Sequence, residues 1–228
     1  MTKKNSHNNC TDTCKVTMYN RKLTGLYAIT DTTQTDQQQL INDVQQALMG
    51  GARIIQYRDK TTQYEQRHNT ARLLRALTRR YDALFIINDD ITLAGNSCAD
   101  GVHLGRNDPP ISTARAQLGS AAIIGMSCYN DLSLAKQAVH NGADYIAFGR
   151  FFPSRSKPDA IQASIETLQM AKHELDIPIT AIGGITTENA NTLINAGADM
   201  LAVISDIFSQ TDIKATACRY QKLFAEKT

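Results

Sequence analysis

No run in this chain approaches the roughly 18 consecutive apolar residues of a membrane-spanning helix. The first residues, Met1 to Lys22, are rich in Lys, Asn and Thr and lack the apolar centre of a secretory signal. Both absences point to a cytoplasmic protein whose residues 1–22 form a polar extension ahead of one domain at residues 23–228. Strong charge is lacking too: 24 basic and 22 acidic residues leave a net charge of +2, too little for the clustered basic face of a nucleic-acid binder. The cysteines Cys10, Cys14, Cys98, Cys128 and Cys218 are odd in number and include no Cys-x-x-Cys pair. That pattern excludes a disulfide framework and a zinc finger and predicts reduced thiols. Trp is absent, which excludes nothing, whereas 42% hydrophobic and 20% charged residues exclude wholesale disorder.

What is present is an alternation. Apolar strand-like runs occur at Leu26 to Thr30, Ile54 to Tyr57, Leu84 to Asn88, Gly101 to Leu104, Ile123 to Ser127, Tyr145 to Gly149, Ile179 to Ile182 and Met200 to Ile204. Between them, apolar residues recur at helical spacing, as in Leu40, Val44, Ala47 and Leu48, in Leu73, Leu74 and Leu77, and in Leu193, Ile194 and Ala196. Strands alternating with helices build a parallel sheet. The joins Gly50-Gly51-Ala52, Gly142-Ala143-Asp144 and Gly197-Ala198-Asp199 repeat just before strands, where glycine ends a helix in a left-handed conformation. Eight such units close into a single α/β (β/α)8 TIM barrel, with an open doubly wound sheet as the alternative.

In such a barrel the carboxyl ends of all strands open on one face, which carries the chemistry. Polar clusters follow the strands there. Gln56, Arg58 and Lys60 alternate with Tyr57 and Asp59, so a continued strand turns the first three to one side. Arg and Lys together suit a diphosphate, the plainer alternative being two solvated cations at a strand end. Asn88, Asp89 and Asp90 follow the third strand and Asp108 follows the fourth. Asp89 and Asp108 suit Mg²⁺, which takes one or two carboxylates and fills its shell with water and phosphate oxygens; one of Asp89 and Asp90 is expected instead to cap the next helix. His103 reads as a satisfied core or rim histidine. Ser127 ends the fifth strand. Ser154, Arg155, Ser156 and Lys157 supply hydroxyls and cations in a long loop after the sixth. Gly183-Gly184 and Ser205, after strands seven and eight, stand where barrels hold a phosphate monoester.

Taken in order, Gln56-Tyr57-Arg58-Asp59-Lys60, Ile87-Asn88-Asp89-Asp90, Asp100-Gly101-Val102-His103-Leu104-Gly105, Ile124-Gly125-Met126-Ser127, Phe152-Pro153-Ser154-Arg155-Ser156-Lys157-Pro158, Ile182-Gly183-Gly184-Ile185 and Val203-Ile204-Ser205 resemble the motifs of the thiamine phosphate synthase family. The resemblance covers about Leu26 to Phe208. It implies transfer of a pyrimidinylmethyl group from hydroxymethylpyrimidine diphosphate to a thiazole phosphate, with one Mg²⁺ per subunit and diphosphate released. It further implies that Gln56, Tyr57, Arg58, Asp59, Lys60, Asn88, Ser127 and Lys157 hold the pyrimidine diphosphate. Arg58, Lys60, Ser127 and Lys157 would act in catalysis, Asp89 and Asp108 would bind the metal, and Ser154, Arg155, Ser156, Gly184, Ile204 and Ser205 would hold the thiazole phosphate. The implied partners are small molecules, not nucleic acid or membrane, with a homo-oligomer open. Tyr57 and Asp59 depart from the family's usual Leu and Glu, Arg106-Asn107 from Gln-Glu, and Ser154 and Ser156 from Thr. A thiazole tautomerase shares the barrel but is expected to carry a His after Ser127, where this chain has Cys128-Tyr129-Asn130. A barrel that binds a thiamine precursor without catalysis is the other alternative.

Overall fold

The computed structural model describes residues 23–30, 36–60, 63–153 and 161–226. The polar extension with Cys10 and Cys14, and Ser154, Arg155, Ser156 and Lys157, lie outside them. Eight parallel strands close on themselves in chain order: β1 (Gly25–Ile29), β2 (Ile54–Tyr57), β3 (Leu84–Asn88), β4 (Gly101–Leu104), β5 (Ile123–Tyr129), β6 (Tyr145–Gly149), β7 (Ile179–Ile182) and β8 (Met200–Val203). The barrel, not the open sheet, is the architecture. Among the described residues the helices are α1 (Gln37–Met49), α2 (Tyr64–Arg80), α3 (Ile91–Asn96), α4 (Ile111–Leu118), α5 (Leu132–His140), α6 (Ile165–Glu174), α7 (Ala190–Asn195), α8 (Ser205–Phe208) and α9 (Ile213–Ala225). No described helix is long and apolar enough to cross a membrane.

Period-two alternation divides each strand between two cores. Leu26, Ala28, Ile55, Tyr57, Phe85, Ile87, Val102, Ile124, Ile146 and Phe148 pack outward with the helices. Tyr27, Ile29, Ile54, Leu84, Ile86, Ile123, Tyr145, Met200 and Ala202 fill the barrel interior. Helix starts are set by side-chain caps: Asp36 accepts from Gln39 N at 2.8 Å, Asp131 from Leu134 N at 2.9 Å and Asp212 from Ala215 N at 2.8 Å. Helical spacing locates the buried stripe of α1, while Leu73 of α2, counted on the apolar stripe from its spacing, is 47% exposed; its neighbour Leu74 faces the core instead.

The repeated joins have a mechanical role. Gly51, Gly142 and Gly197 adopt φ of +99°, +89° and +114°, as the left-handed turn requires. Gly50 has φ −81° and is needed for close approach, because a Cβ there would strike Ala217 and the carbonyl of Lys214 on α9. The aspartates at the joins lace the amino end of the barrel. Asp100 accepts from Phe85 N and two nitrogens of Arg75, Asp144 from Ile124 N and Arg115, and Asp199 from Ile179 N and Lys172. Each carboxylate thus ties a strand backbone to a helix cation, leaving the opposite, carboxyl end of the barrel open for chemistry.

Candidate active site

A cavity of about 520 Å³ opens at the carboxyl ends of the strands. Gln56, Arg58, Asn88, His103 and Ser127 line one side of it, and Gly183, Gly184, Ile204 and Ser205 the other. Strand parity explains the first set: Gln56, Asn88, His103 and Ser127 occupy inward positions of β2 to β5, one step above the apolar interior layer. Arg58 lies just past β2, where Thr30 Oγ1 accepts its backbone N–H at 3.0 Å. The polar side therefore stands on the carboxyl ends of β2 to β5.

Tyr57 and Asp59 take the other face. Tyr57, expected among the diphosphate contacts, is 2% exposed and packs in the outer core; its hydroxyl donates to Asp59 Oδ2 at 3.0 Å. The alternation that brings Gln56 and Arg58 into the cavity turns Tyr57 away from it. Burial, and then the Asp59 carboxylate, raise the Tyr57 phenol well above its ordinary range, so the Tyr57 hydroxyl remains a donor and steadies Asp59.

Beside the cavity lies a charged cluster. Lys60 Nζ stands 3.1 Å from Asp89 Oδ2. Asp89 has φ +63°, a left-handed conformation that Asp tolerates better than most residues; its N–H donates to His103 O at 2.9 Å, carrying the β3 ladder one residue further before the chain turns. Asp90 is the helix cap, accepting from Leu93 N at 2.9 Å and lying 3.3 Å from Arg67. Asp89 takes no part in that cap. Asp108 Oδ2 accepts from Gly105 N at 2.6 Å. Burial, together with the Asp89 carboxylate within hydrogen-bonding reach, pushes the Asp108 carboxyl above its ordinary range. Two carboxylates held together against their repulsion, with a lysine as partial counter-charge, form a donor set suited to a hard divalent cation that takes its remaining ligands from water and phosphate.

The strand β5 continues past Ser127, where the sequence places its end, to Tyr129. A bulge between Ser127 and Tyr129 shifts the pairing with β6, and Tyr129 has φ +58°. The bulge keeps Cys128 in the outer core and sets Tyr129 on the cavity rim, where the Arg106 guanidinium lies 4.7 Å from its ring centroid. Burial pushes the Cys128 thiol up to about 12. The segment where a tautomerase is expected to carry an acid–base group thus holds an inert thiol and a cation-covered ring.

Sequence reasoning missed Tyr27, Tyr129 and Arg150, which also line the cavity. Tyr27 was legible in principle: it occupies an inward position of β1, next to the strand that carries Gln56. His103 is the satisfied rim histidine expected, with Nδ1 2.9 Å from Tyr145 Oη and Nε2 2.9 Å from Ser127 Oγ.

A family model described as thiamine monophosphate synthase matches residues 26–207. The chain is 51% identical over 200 residues to the thiamine-phosphate synthase of Nitrosococcus oceani, covering 88% of this chain and 92% of that one. It is 50% identical over 208 residues to that of Nitrosospira multiformis, covering 91% and 88%. Among solved structures, thiamine phosphate pyrophosphorylase from Pyrococcus furiosus superposes with a TM-score of 0.83 at 36% identity, covering 91% of this chain and 98% of the other.

Proposed function

Because the chain belongs to the thiamine monophosphate synthase family, we propose that it joins hydroxymethylpyrimidine diphosphate to thiazole phosphate, giving thiamine phosphate and diphosphate. It is a transferase. The carbon–oxygen bond from the pyrimidine methylene to diphosphate breaks, the thiazole nitrogen supplies the electron pair for the new carbon–nitrogen bond, and the bonding electrons leave with the diphosphate. No protein nucleophile takes part. The barrier is charge separation, which preorganised electrostatics lowers. The electron-rich aminopyrimidine shares the positive charge on its methylene carbon, which favours a dissociative path.

One observation carries this assignment: a single cavity has hydrogen-bonding side chains and Arg58 on one side and the glycine pair with Ser205 on the other. Gln56, Asn88 and Ser127 hold the pyrimidine, while Arg58, Lys60 and, by its place in the family motif, Lys157 receive the diphosphate. Gly184, Ile204 and Ser205, with Ser154, Arg155 and Ser156 by their place in the family motif, hold the thiazole phosphate. A Cβ on Gly184 would clash with the carbonyl oxygen of Pro153, so only glycine fits that part of the wall. Asp89 and Asp108 would hold Mg²⁺, which when bound supplies positive charge to the leaving diphosphate.

Incubation of the purified protein with both substrates, with and without Mg²⁺, tests the reading, thiamine phosphate being followed as its fluorescent thiochrome derivative. Metal-dependent product is expected. Binding of both ligands without product would refute the catalytic reading in favour of a precursor-binding barrel.

A further inference from the structure

An unbroken line of hydrogen bonds crosses the barrel beneath the cavity. Gln56 Nε2 donates to Tyr27 Oη at 2.7 Å, Tyr27 Oη lies 2.8 Å from Tyr145 Oη, Tyr145 Oη lies 2.9 Å from His103 Nδ1, and His103 Nε2 lies 2.9 Å from Ser127 Oγ. Its two ends, Gln56 and Ser127, line the cavity, as do Tyr27 and His103 between them, and both tyrosines are among the largest fully buried side chains. The line is built at some cost to neighbouring positions: Gly125 on β5 is required because a Cβ there would strike the Tyr145 ring. That ring is stacked on His103 at 5.5 Å and meets Tyr27 edge-on at 6.0 Å.

We propose that Tyr27, Tyr145 and His103 form a positioning relay that couples the amide of Gln56 to the hydroxyl of Ser127 and holds both in one donor–acceptor setting, so that the cavity selects an aminopyrimidine over its oxo counterpart. The inference rests on the reading that the pyrimidine lies against Gln56 and Ser127. Burial raises both phenols far above their ordinary range, so each keeps its hydrogen and must place it. With Gln56 donating to Tyr27, the buried Tyr27 hydrogen passes to Tyr145. Tyr145 then donates to His103 Nδ1, which leaves the imidazole hydrogen on Nε2 for Ser127 Oγ. Every contact in that order carries one hydrogen. The consequence reaches the cavity at both ends: Gln56 presents its carbonyl oxygen as an acceptor and Ser127 turns its own hydrogen outward as a donor. An aminopyrimidine matches the pair, with amino hydrogens for the one and a ring nitrogen for the other. A 4-oxo ring replaces the amino donor with an acceptor, and reversing Gln56 to meet it would reverse every hydrogen along the line.

Tyr145→Phe and Tyr27→Phe each cut the relay while keeping the ring in place, and thermal melting of each variant reports whether it is folded. Steady-state kinetics would be measured with the aminopyrimidine diphosphate, with its 4-oxo analogue as competitive inhibitor, for both variants, Ser127→Ala and the double variant Ser127→Ala/Tyr145→Phe. In each Phe variant we expect KM for the aminopyrimidine diphosphate to rise about tenfold, KM for the thiazole phosphate to stay put, and discrimination against the oxo analogue to narrow. The double variant should be no worse than Ser127→Ala alone, because both changes break one unit. Parental KM and discrimination in folded Phe variants, or losses that multiply in the double variant, would overturn the relay while leaving the assigned reaction intact. A parental KM in Ser127→Ala would overturn the relay together with the placement of the pyrimidine.

Discussion

Replacing Asp108 by Asn should make the metal-free protein more stable and the enzyme far slower. In the parent, Asp108 is held beside Asp89, with Gly105 N–H donating to its Oδ2 at 2.6 Å. Two carboxylates in contact at the edge of a protein repel by about 1 to 4 kcal/mol, depending on how much water screens them. The Lys60 counter-charge, 3.1 Å from Asp89 but 61% exposed, offsets part of this, and an amide oxygen accepts from Gly105 less strongly than a carboxylate. The net relief is about 1 kcal/mol, which raises Tm by about 2 to 4 °C in a protein of this size. The sign follows from linkage. The folded state raises the Asp108 carboxyl above its ordinary value of 3.8, so ionised Asp108 costs stability at neutral pH, and the cost fades as pH falls through the folded value. The gap between variant and parent in a chelator should therefore be full near pH 7 and close as pH drops toward 3.8. Saturating Mg²⁺ should reverse the order: at 100 times its Kd a ligand adds about 2.7 kcal/mol to the parent and little to the variant. Loss of a strong electrostatic contact in the site should slow turnover by about a hundredfold or more. Differential scanning fluorimetry across pH, with chelator or Mg²⁺, together with the thiochrome assay, reads all of this. A variant less stable than the parent in chelator, with an undiminished Mg²⁺ shift, would refute the pairing of these carboxylates as a metal site.

Asp100→Ala, at the opposite end of the barrel, should leave Arg75 unpaired and Phe85 N–H without its acceptor; breaking a buried pair costs about 3 kcal/mol. A fall in Tm of about 6 to 12 °C, with kcat unchanged at low temperature, is expected from melting curves and kinetics. Gly184→Ala puts a Cβ against the Pro153 carbonyl at φ +64° and should raise KM for the thiazole phosphate at least tenfold while sparing the pyrimidine diphosphate; equal effects on both substrates would contradict the division of the cavity.

Much of the molecule follows from local pattern alone. Apolar runs separated by helical spacing determine the eight strands, because each strand must bury two faces, and the side-chain period of two then determines which residues can look inward. The placement of Gln56 and Asn88 in the cavity is a consequence of that parity, as is the turning of Tyr57 into the outer core. The recurring Gly and Asp at the joins mark helix ends, since few other residues take the required backbone or accept a strand N–H there. The division of labour between Asp89 and Asp90 was open in the sequence and depended on the helix start: only the turn at φ +63° aims Asp89 at β4 while Asp90 caps α3.

The relay and the carboxylate pair were not legible, because both join residues distant along the chain through the closure of the barrel. Tyr27 and Tyr145 lie 118 positions apart, and nothing local pairs one with the other. Their phenols meet because the interior is narrow enough for side chains from different strands to touch across it. Asp89 and Asp108 come together only when β3 and β4 are paired in register, and the bulge in β5 that sets Tyr129 at the rim is a feature of strand pairing, not of composition. The sequence by itself determined the elements, the face of the barrel that bears the chemistry and the residue types gathered there. Tertiary structure alone decided which of them share hydrogen bonds and charge, since those forces act over a few ångströms and distances between remote residues exist only once the barrel has closed.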